Sequence, residues 1–399
     1  MACEQVTLQD VCELIVDCPH TSAKDEGVGY PLIRTPNVGR GRLILTDVHR
    51  VSQDVYERRV SRAVPRQGDL ILAREAPAGN VAIVPSGIEV CLGQRTMLLR
   101  PDSSFVVPEY LNYYLNAPEQ RDRMLRLANG ATVSHINVAD IRNMPVQLPS
   151  RGEQSKVAEL LNVLDDKIDL NNRLNDYLLE LISSVFAHRF SSNVNTTDLK
   201  NVLSISTKAL KPQEHASEIW EHYSIPAFDE KHRPIFEPAS EIKSNKYQID
   251  NECILISKLN PSTKRIWMPY CSSNNAVCST EFIVYRPYLK EYKSFYYAAI
   301  DSPGFTNYLL EHVSGSTGSR QRAQPKDTLH YLMPNPSNEE IKNFCTFADP
   351  IYRHVQINEQ QTAKLELLRD TLLPKLMSGE IDVSKVDLTQ LTNNHLADC

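Results

Sequence analysis

The sequence has no CxxC pair, no apolar run approaching the length that crosses a bilayer, and no GxxxxGK[ST] phosphate loop. Each absence removes a class of protein. Without cysteine doublets, a structural zinc site lacks ligands at the right spacing. An odd total of nine cysteines argues for reduced thiols rather than a disulfide framework. Cys12, Cys18 and His20 come nearest to a ligand cluster, and without a second pair they read as packing residues. The start MACEQVTLQD lacks the basic and apolar regions of a secretion signal, so a cytoplasmic location with no membrane contact is expected. The missing phosphate loop argues against a nucleotide-driven motor. An amino-methyltransferase needs an Asn-Pro-Pro-aromatic motif, and Asn260-Pro261-Ser262 and Asn335-Pro336-Ser337 both lack the aromatic. Asp229, Glu241 and Lys243 could be assembled into a nuclease site. A second Glu-x-Lys at Glu291 and Lys293 shows how readily that pattern arises on a solvated surface.

A net excess of one charge sign is also missing from most of the chain. The formal charge is -6, yet residues 1–150 carry 16 cations against 17 anions and residues 197–336 carry 16 against 15. The acidic excess therefore lies in the remaining segments, which leaves room for local basic faces elsewhere. Of the 16 cations in the first segment, 15 are Arg, the side chain best shaped for phosphates and guanine edges.

What is present is a heptad pattern, twice. Val157, Leu164, Asn171, Leu178 and Val185 recur every seventh residue, with Leu161, Ile168, Asn175 and Ile182 on a second line. This spacing predicts a coiled-coil seam. Shifted by 187, the first line returns as Phe344, Ile351, Asn358, Leu365 and Leu372. Ser150 and Glu153 return as Ser337 and Glu340, so both helices are expected to open with a capping box. The central Asn171 and Asn358 are expected to meet in an antiparallel pairing, fixing register. Asn175 and its counterpart Thr362 are read as solvated.

Residues 1–150 read as one mixed module. A short amphipathic helix is expected over about residues 6–16, then a strand at GDLILAREAP, a strand at VAIVP, another at CLGQRTMLLRP, and a helix over about 108–126. Residues 197–336 repeat this order: Pro118 maps onto Pro303, Gly130 onto Gly315, and Arg100-Pro101 onto Arg286-Pro287, at offsets of 185 to 186. So small a drift points to duplication. The expected fold class is α+β: two mixed domains (1–150 and 197–336) separated by an antiparallel coiled coil of two long helices (151–196 and 337–380), related by a pseudo-two-fold axis, with a polar tail at 381–399. The seam residues are Val157, Leu164, Asn171, Leu178, Phe344, Ile351, Asn358 and Leu365. A helix from 157 to 185 is about 42 Å long, comparable with the roughly 34 Å between half-sites one turn apart on duplex DNA.

The stretches DLILAREAPAGNVAIVP, CLGQR and GATVSHINVADIRNMPVQLP in the first half, and SNKYQI, ILISKLNPSTKRIW, GSTGSRQR and LLPKLMSGEI in the second, resemble the specificity subunits of type I restriction-modification systems. The resemblance implies a non-catalytic reader of double-stranded DNA, each recognition domain taking one half of a bipartite asymmetric site while the helices set the spacer. It also implies two modification (methyltransferase) subunits and restriction (translocase/endonuclease) subunits as partners. S-adenosylmethionine, ATP and Mg would then reside on those partners, with no cofactor and no metal on this chain. The alternative is a coiled-coil adaptor between proteins that does not touch DNA.

Candidate base and phosphate contacts are polar or cationic residues on loops beside strands. The first module offers Arg34, Arg40, Arg42, Arg74, Arg95, Ser134 and His135. The second offers Lys258, Asn260, Lys264, Arg265, Ser319, Arg320, Gln321 and Arg322. Arg74 and Arg95, within apolar strand patterns, could instead pair internally with Glu75 or Asp69.

Overall fold

The computed structural model describes residues 4–75, 77–128, 135–192, 195–314 and 321–385. The first part of the chain runs β1 (Glu4–Thr7), β2 (Cys12–Asp17), β3 (Tyr30–Ile33), β4 (Gly41–Arg42), β5 (Arg50–Val51), α1 (Gln53–Arg59), β6 (Leu70–Ala73), β7 (Val81–Ile83), β8 (Cys91–Leu92) and β9 (Thr96–Pro101). It continues through α2 (Pro108–Asn116), α3 (Pro118–Leu127), α4 (Val138–Arg142) and β10 (Pro145–Leu148) into the long helix α5 (Arg151–Phe190). After it come β11 (Thr196–Asp198), β12 (Leu203–Ser206), β13 (Ala209–Leu210), β14 (Ile219–Tyr223), α6 (Ile225–Lys231), β15 (Ile235–Pro238), β16 (Lys246–Gln248) and β17 (Ile254–Ser257). The remainder is β18 (Ile266–Trp267), β19 (Ala276–Ser279), β20 (Phe282–Pro287), α7 (Lys293–Asp301), α8 (Pro303–Glu311), β21 (Val313–Ser314), β22 (Arg322–Ala323), α9 (Pro325–Thr328), β23 (Leu332–Pro334) and α10 (Asn338–Met377).

The chain forms two compact units, one holding the stretch up to Ile168 together with that from Lys364, the other Asp169–Ala363. In the first, a sheet ordered β2-β9-β6-β7-β4 is flanked by the ribbon β1-β10 and by a small sheet β5-β3-β8. Successive strand residues face opposite ways. Leu70, Leu72, Met97 and Leu99 enter a core with α2 and the start of α5, whereas Ile71, Ala73, Ala82 and Leu98 fill a second core on the other face. The second unit repeats the frame as β12-β20-β17-β18 with the ribbon β11-β23, and its sheet β13-β16-β19-β14-β15 keeps the β5-β3-β8 pattern in β15-β14-β19 while adding β16 and β13. There Ile254, Ile256, Ile283 and Tyr285 face the long-helix core, while Leu255, Trp267, Phe282 and Val284 face the other. The fold is thus α+β, and the duplication read from the offsets is present in the shared frame, with β4 particular to the first unit and β13 and β16 to the second.

Both long helices open on the expected capping box. In each, the cap residue's amide donates to the carboxylate three positions on, Ser150 to Glu153 at 3.0 Å and Ser337 to Glu340 at 2.8 Å. The reciprocal amide bonds to the cap hydroxyls are 3.4 and 3.3 Å. Within the first unit the start of α5 packs on the end of α10: Val157, Leu160 and Leu161 share a core with Leu373 and Leu376. Within the second, the end of α5 packs on the start of α10, with Phe186 and Phe190 edge-on to Phe344 at 5.6 and 5.7 Å. The pairing is antiparallel in both units. Of the seam positions, Val157, Leu164, Asn171, Phe344 and Asn358 are buried, and Leu178, Ile351 and Leu365 are half-buried.

Four local readings are corrected. The stretch 6–16 is a strand, a turn and a strand. Asp10 accepts from the Thr7 amide at 2.8 Å and closes a turn, which turns Leu8 and Val11 into the core while β1 pairs β10 and β2 pairs β9. Val6, Leu8, Val11 and Ile15 mimic a helical period because that turn interrupts the strand alternation. The single helix over 108–126 is two, since Ala117 before Pro118 is extended (φ -60, ψ 144). Ser302 before Pro303 breaks the second copy likewise (φ -70, ψ 151).

The central asparagines do not face each other either. Asn171 donates to Gln361 at 2.9 Å and to Thr362 at 3.4 Å, while Asn358 donates to Asn175 at 2.8 Å. Asn175 and Thr362 are buried members of this network rather than solvated residues. The register lies one turn away from a centre-to-centre match, because the aromatic packing of Phe186 and Phe190 on Phe344 sets it from the helix ends. Asn358→Ala should cost about 1–3 kcal/mol, since it strands the buried Asn175 carbonyl. Replacing Asn175 and Asn358 together by Leu should recover that loss and raise the melting temperature, measured by thermal denaturation.

Candidate nucleic-acid interface

In each unit the central strand leads into a loop that is clamped by a second segment from beyond the paired helices. In the first, β6 exits into Arg74 and Glu75; Glu75 bridges His135, and the Ile136 amide donates to the Arg74 carbonyl at 3.1 Å. In the second, β17 exits into Lys258 and Leu259; Leu259 bridges Arg322, the Ala323 amide donates to the Lys258 carbonyl at 2.9 Å, and the Asn260 amide donates to Gln321 at 2.9 Å. Arg74, Arg95 and His135 are thereby gathered in one unit, and Lys258, Asn260, Gln321 and Arg322 in the other.

The clamps share a frame and differ in charge placement. Arg95, at the turn leading into β9, pairs with Glu75 of the loop at 2.9 Å. At the matching turn into β20 stands Glu281, and it receives Arg322 at 3.1 Å. One salt bridge is built from opposite ends, so each clamp offers its guanidinium from a different place. Both bridges are solvent-facing and rearrange cheaply. Arg95 has φ 66 and Asn260 has φ 48, left-handed conformations rare for residues with a side chain. The Asn260 side-chain oxygen is buried with no partner.

Other candidates are placed elsewhere. Arg74 is mostly structural: its guanidinium binds Asp17 at 2.8 Å and the Ile136 carbonyl at 2.9 Å. Asp69 instead takes Arg100, at 2.8 Å. Arg34 lies against the CLGQR turn, where a Cβ on Gly93 would come 2.8 Å from the Arg34 Cγ, so this approach demands glycine. Its Nε is buried without a partner. Arg42 pairs with Asp166 of α5 at 2.7 Å. Arg40 is exposed near Arg121, whose pKa is lowered first by burial and then by the Arg40 charge. Arg121 was not singled out from the sequence, since it sits in a helix rather than a loop. In the second unit Lys264 pairs with Asp301, and Arg265 binds Asp229 through two bonds of 2.6 and 2.9 Å. Asp229 is thereby occupied. Ser134, Ser319 and Arg320 lie outside the described residues.

Among the described residues no three metal-binding side chains gather, and no helix is long and apolar enough to cross a membrane. Cys18 is fully buried, and burial pushes the Cys12 thiol up to about 12, so both pack rather than react.

The chain is thus a duplicated α+β unit whose loop clamp keeps its backbone frame in each copy while its charges are rearranged. Residues 2–180 match the family described as Type I restriction modification DNA specificity domain. The chain is similar to the MjaIX specificity subunit of a type I restriction enzyme from Methanocaldococcus jannaschii, 21% identical over 85% of this chain and 84% of the relative. It is also similar to the StySPI specificity subunit of Salmonella potsdam, 23% identical over 90% and 86%. In fold it matches the crystal structure of the S subunit of a type I restriction-modification system from M. genitalium, with a TM-score of 0.57 and 16% identity over 94% of this chain and 96% of that one. The match to the specificity-domain family thus covers the first part of the chain, and the similarity to type I specificity subunits extends over most of its length.

Arg74→Met should destabilise by about 3 kcal/mol, because it removes the close cation from the part-buried Asp17 and leaves it the Cys18 amide at 3.0 Å and the exposed His20 at 3.4 Å. Arg95→Met, removing an exposed pair, should stay within about 1 kcal/mol. Chemical denaturation of the two variants distinguishes these roles.

Proposed function

We propose that this chain reads a bipartite, asymmetric sequence on duplex DNA, one half-site with each unit, and performs no catalysis itself. The observation that carries this reading is the repeated clamp: the same backbone frame presents Arg95, Glu75 and His135 in one copy and Arg322, Glu281 and Gln321 in the other. Two copies of one reader that kept their frame and changed their donors suit two different half-sites. Arg forks onto guanine and Gln onto adenine, while nearby cations such as Arg40 and Arg121 suit phosphates. Glu75 and Glu281 would hold the guanidiniums in place until bases displace them.

The long helices would set the spacer and dock the methyltransferase subunits. A 40-residue helix spans about 60 Å, ample for two reading heads. Leu170, Leu174, Tyr177 and Leu181 form an exposed apolar stripe at helical spacing on α5. Such a stripe suits an amphipathic helix of a partner. S-adenosylmethionine, ATP and Mg would then be held by the partner subunits.

Binding of the chain to duplex DNA should weaken steeply with salt; salt-independent binding, or none, would favour a protein adaptor. In cells carrying the complete system, Arg322→Ala should relax or shift one half of the methylated sequence and leave the other half unchanged, read by mapping methylated adenines. Leu170→Asp with Tyr177→Asp should abolish co-purification with the methyltransferase subunit at an unchanged melting temperature.

A further inference from the structure

The second unit carries a pocket that the repeated frame does not explain. It is a cavity of about 330 Å³ between the β14-β15 hairpin, the end of β18 and one face of α10. Trp267 and Tyr223 form its floor and Phe236 and His232 one wall, while Gln356, Glu359 and Gln360 line the helix side. The hairpin corresponds to β3-β5 of the first unit, but α6 stands where that unit has β4. In the matched strands Trp267 pairs with Leu255 where Ala82 pairs with Ile71, so the aromatic floor is also specific to this copy.

The lining has an unusual chemistry. His232 ends α6 in the left-handed region (φ 50), a strained setting for a side chain of that size. Its ring stacks on Trp267 at 5.6 Å with the planes 8° apart, its Nδ1 lies 3.4 Å from Glu359, and its Nε2 is buried without a partner. Glu221 is 1% exposed, and its carboxylate is held by neutral donors: the Tyr223 hydroxyl at 3.0 Å and the amides of Ser272 and Ser273 at 2.8 Å. Gln356 and Gln360, one turn apart on α10, have no side-chain hydrogen bond among the described residues.

We infer that this pocket binds a purine base bearing an exocyclic amine. Aromatic walls stack a flat heterocycle, and a glutamine amide, being both donor and acceptor, matches the amine and ring nitrogen on adenine's edge. Glu359 accepts from the second amine hydrogen. The carboxylates of Glu221 and Glu359 outnumber the single guanidinium of Arg233 in the lining, so the interior has no cationic excess to hold a phosphate and favours the uncharged base. A guanidinium or ammonium group fits less well, because it offers no acceptor to the glutamine N–H groups and would stand beside the guanidinium of Arg233. The volume lies at the lower end of small-ligand sites, which begin at about 300 Å³.

The chain contains two tryptophans, and Trp220 is fully buried outside the pocket, so a Trp220→Phe full-length chain reports on Trp267 alone. Without DNA, adenosine should quench its emission saturably with a dissociation constant on the order of 0.1 mM. Gln356→Ala with Gln360→Ala should weaken this roughly tenfold at an unchanged melting temperature. If Trp220→Phe does not fold, calorimetry on the unaltered chain measures the same constant. No saturable signal up to about 10 mM, or saturation by arginine amide in place of adenosine, would overturn the inference. Competition by a duplex with one unpaired adenine, but not by a fully paired duplex, would identify the base as extruded from DNA. Binding of adenosine without such competition would identify a free nucleoside, and both results support a purine site.

Discussion

Neither unit can close its core without the long helices. The strand faces of β6 and β9 present Leu70, Leu72, Met97 and Leu99 to a space filled by Val157, Leu161, Leu373 and Leu376. Those of β17 and β20 present Ile254, Ile256 and Tyr285 to Ile182, Phe186 and Phe344. Burial of these apolar faces is the dominant favourable term, so folding each unit requires one end of α5 and one end of α10 together. The helices are part of both domains rather than a linker between them.

The polar groups along the seam add selectivity to that burial. In the first unit Asp165 accepts from the Tyr113 hydroxyl at 2.7 Å and from Arg369 at 2.8 Å. At the corresponding place in the second, Tyr297 and Tyr352 meet edge-on at 5.2 Å. A seam polar in one copy and aromatic in the other makes the two helix pairings chemically distinct. Exchanging partners would bury the Asp165 carboxylate against rings, at a cost of several kcal/mol.

Duplication followed by divergence also organises the candidate site. Backbone features are retained in both copies: the capping boxes, the proline breaks at Pro118 and Pro303, and the bridge that clamps the loop after the central strand. Side chains at the clamp are not retained, and the second copy has two further strands, β13 and β16, and its own aromatic pocket. Retained backbone and altered donors are what separate a scaffold from the specificity it carries.

The sequence by itself determined the two long helices, their starts and the doubling, because heptad spacing and capping are local and recur at a fixed offset. It also marked the loop residues near the clamps, since Gly-punctuated polar segments beside apolar strands are visible in one dimension. Only the tertiary structure decided which cations are available. Arg74 and Arg265 resemble Arg95 and Arg322 in the sequence and all four are ion-paired, yet Asp17 and Asp229, 57 and 36 residues away, hold the first two with their side chains largely buried while the last two pair at the surface. It likewise turned residues 6–16 into two strands, whose partners lie some 140 and 85 positions downstream, and moved the asparagine register by a turn. Each of these outcomes depends on a partner distant along the chain, and periodicity carries no information about such partners.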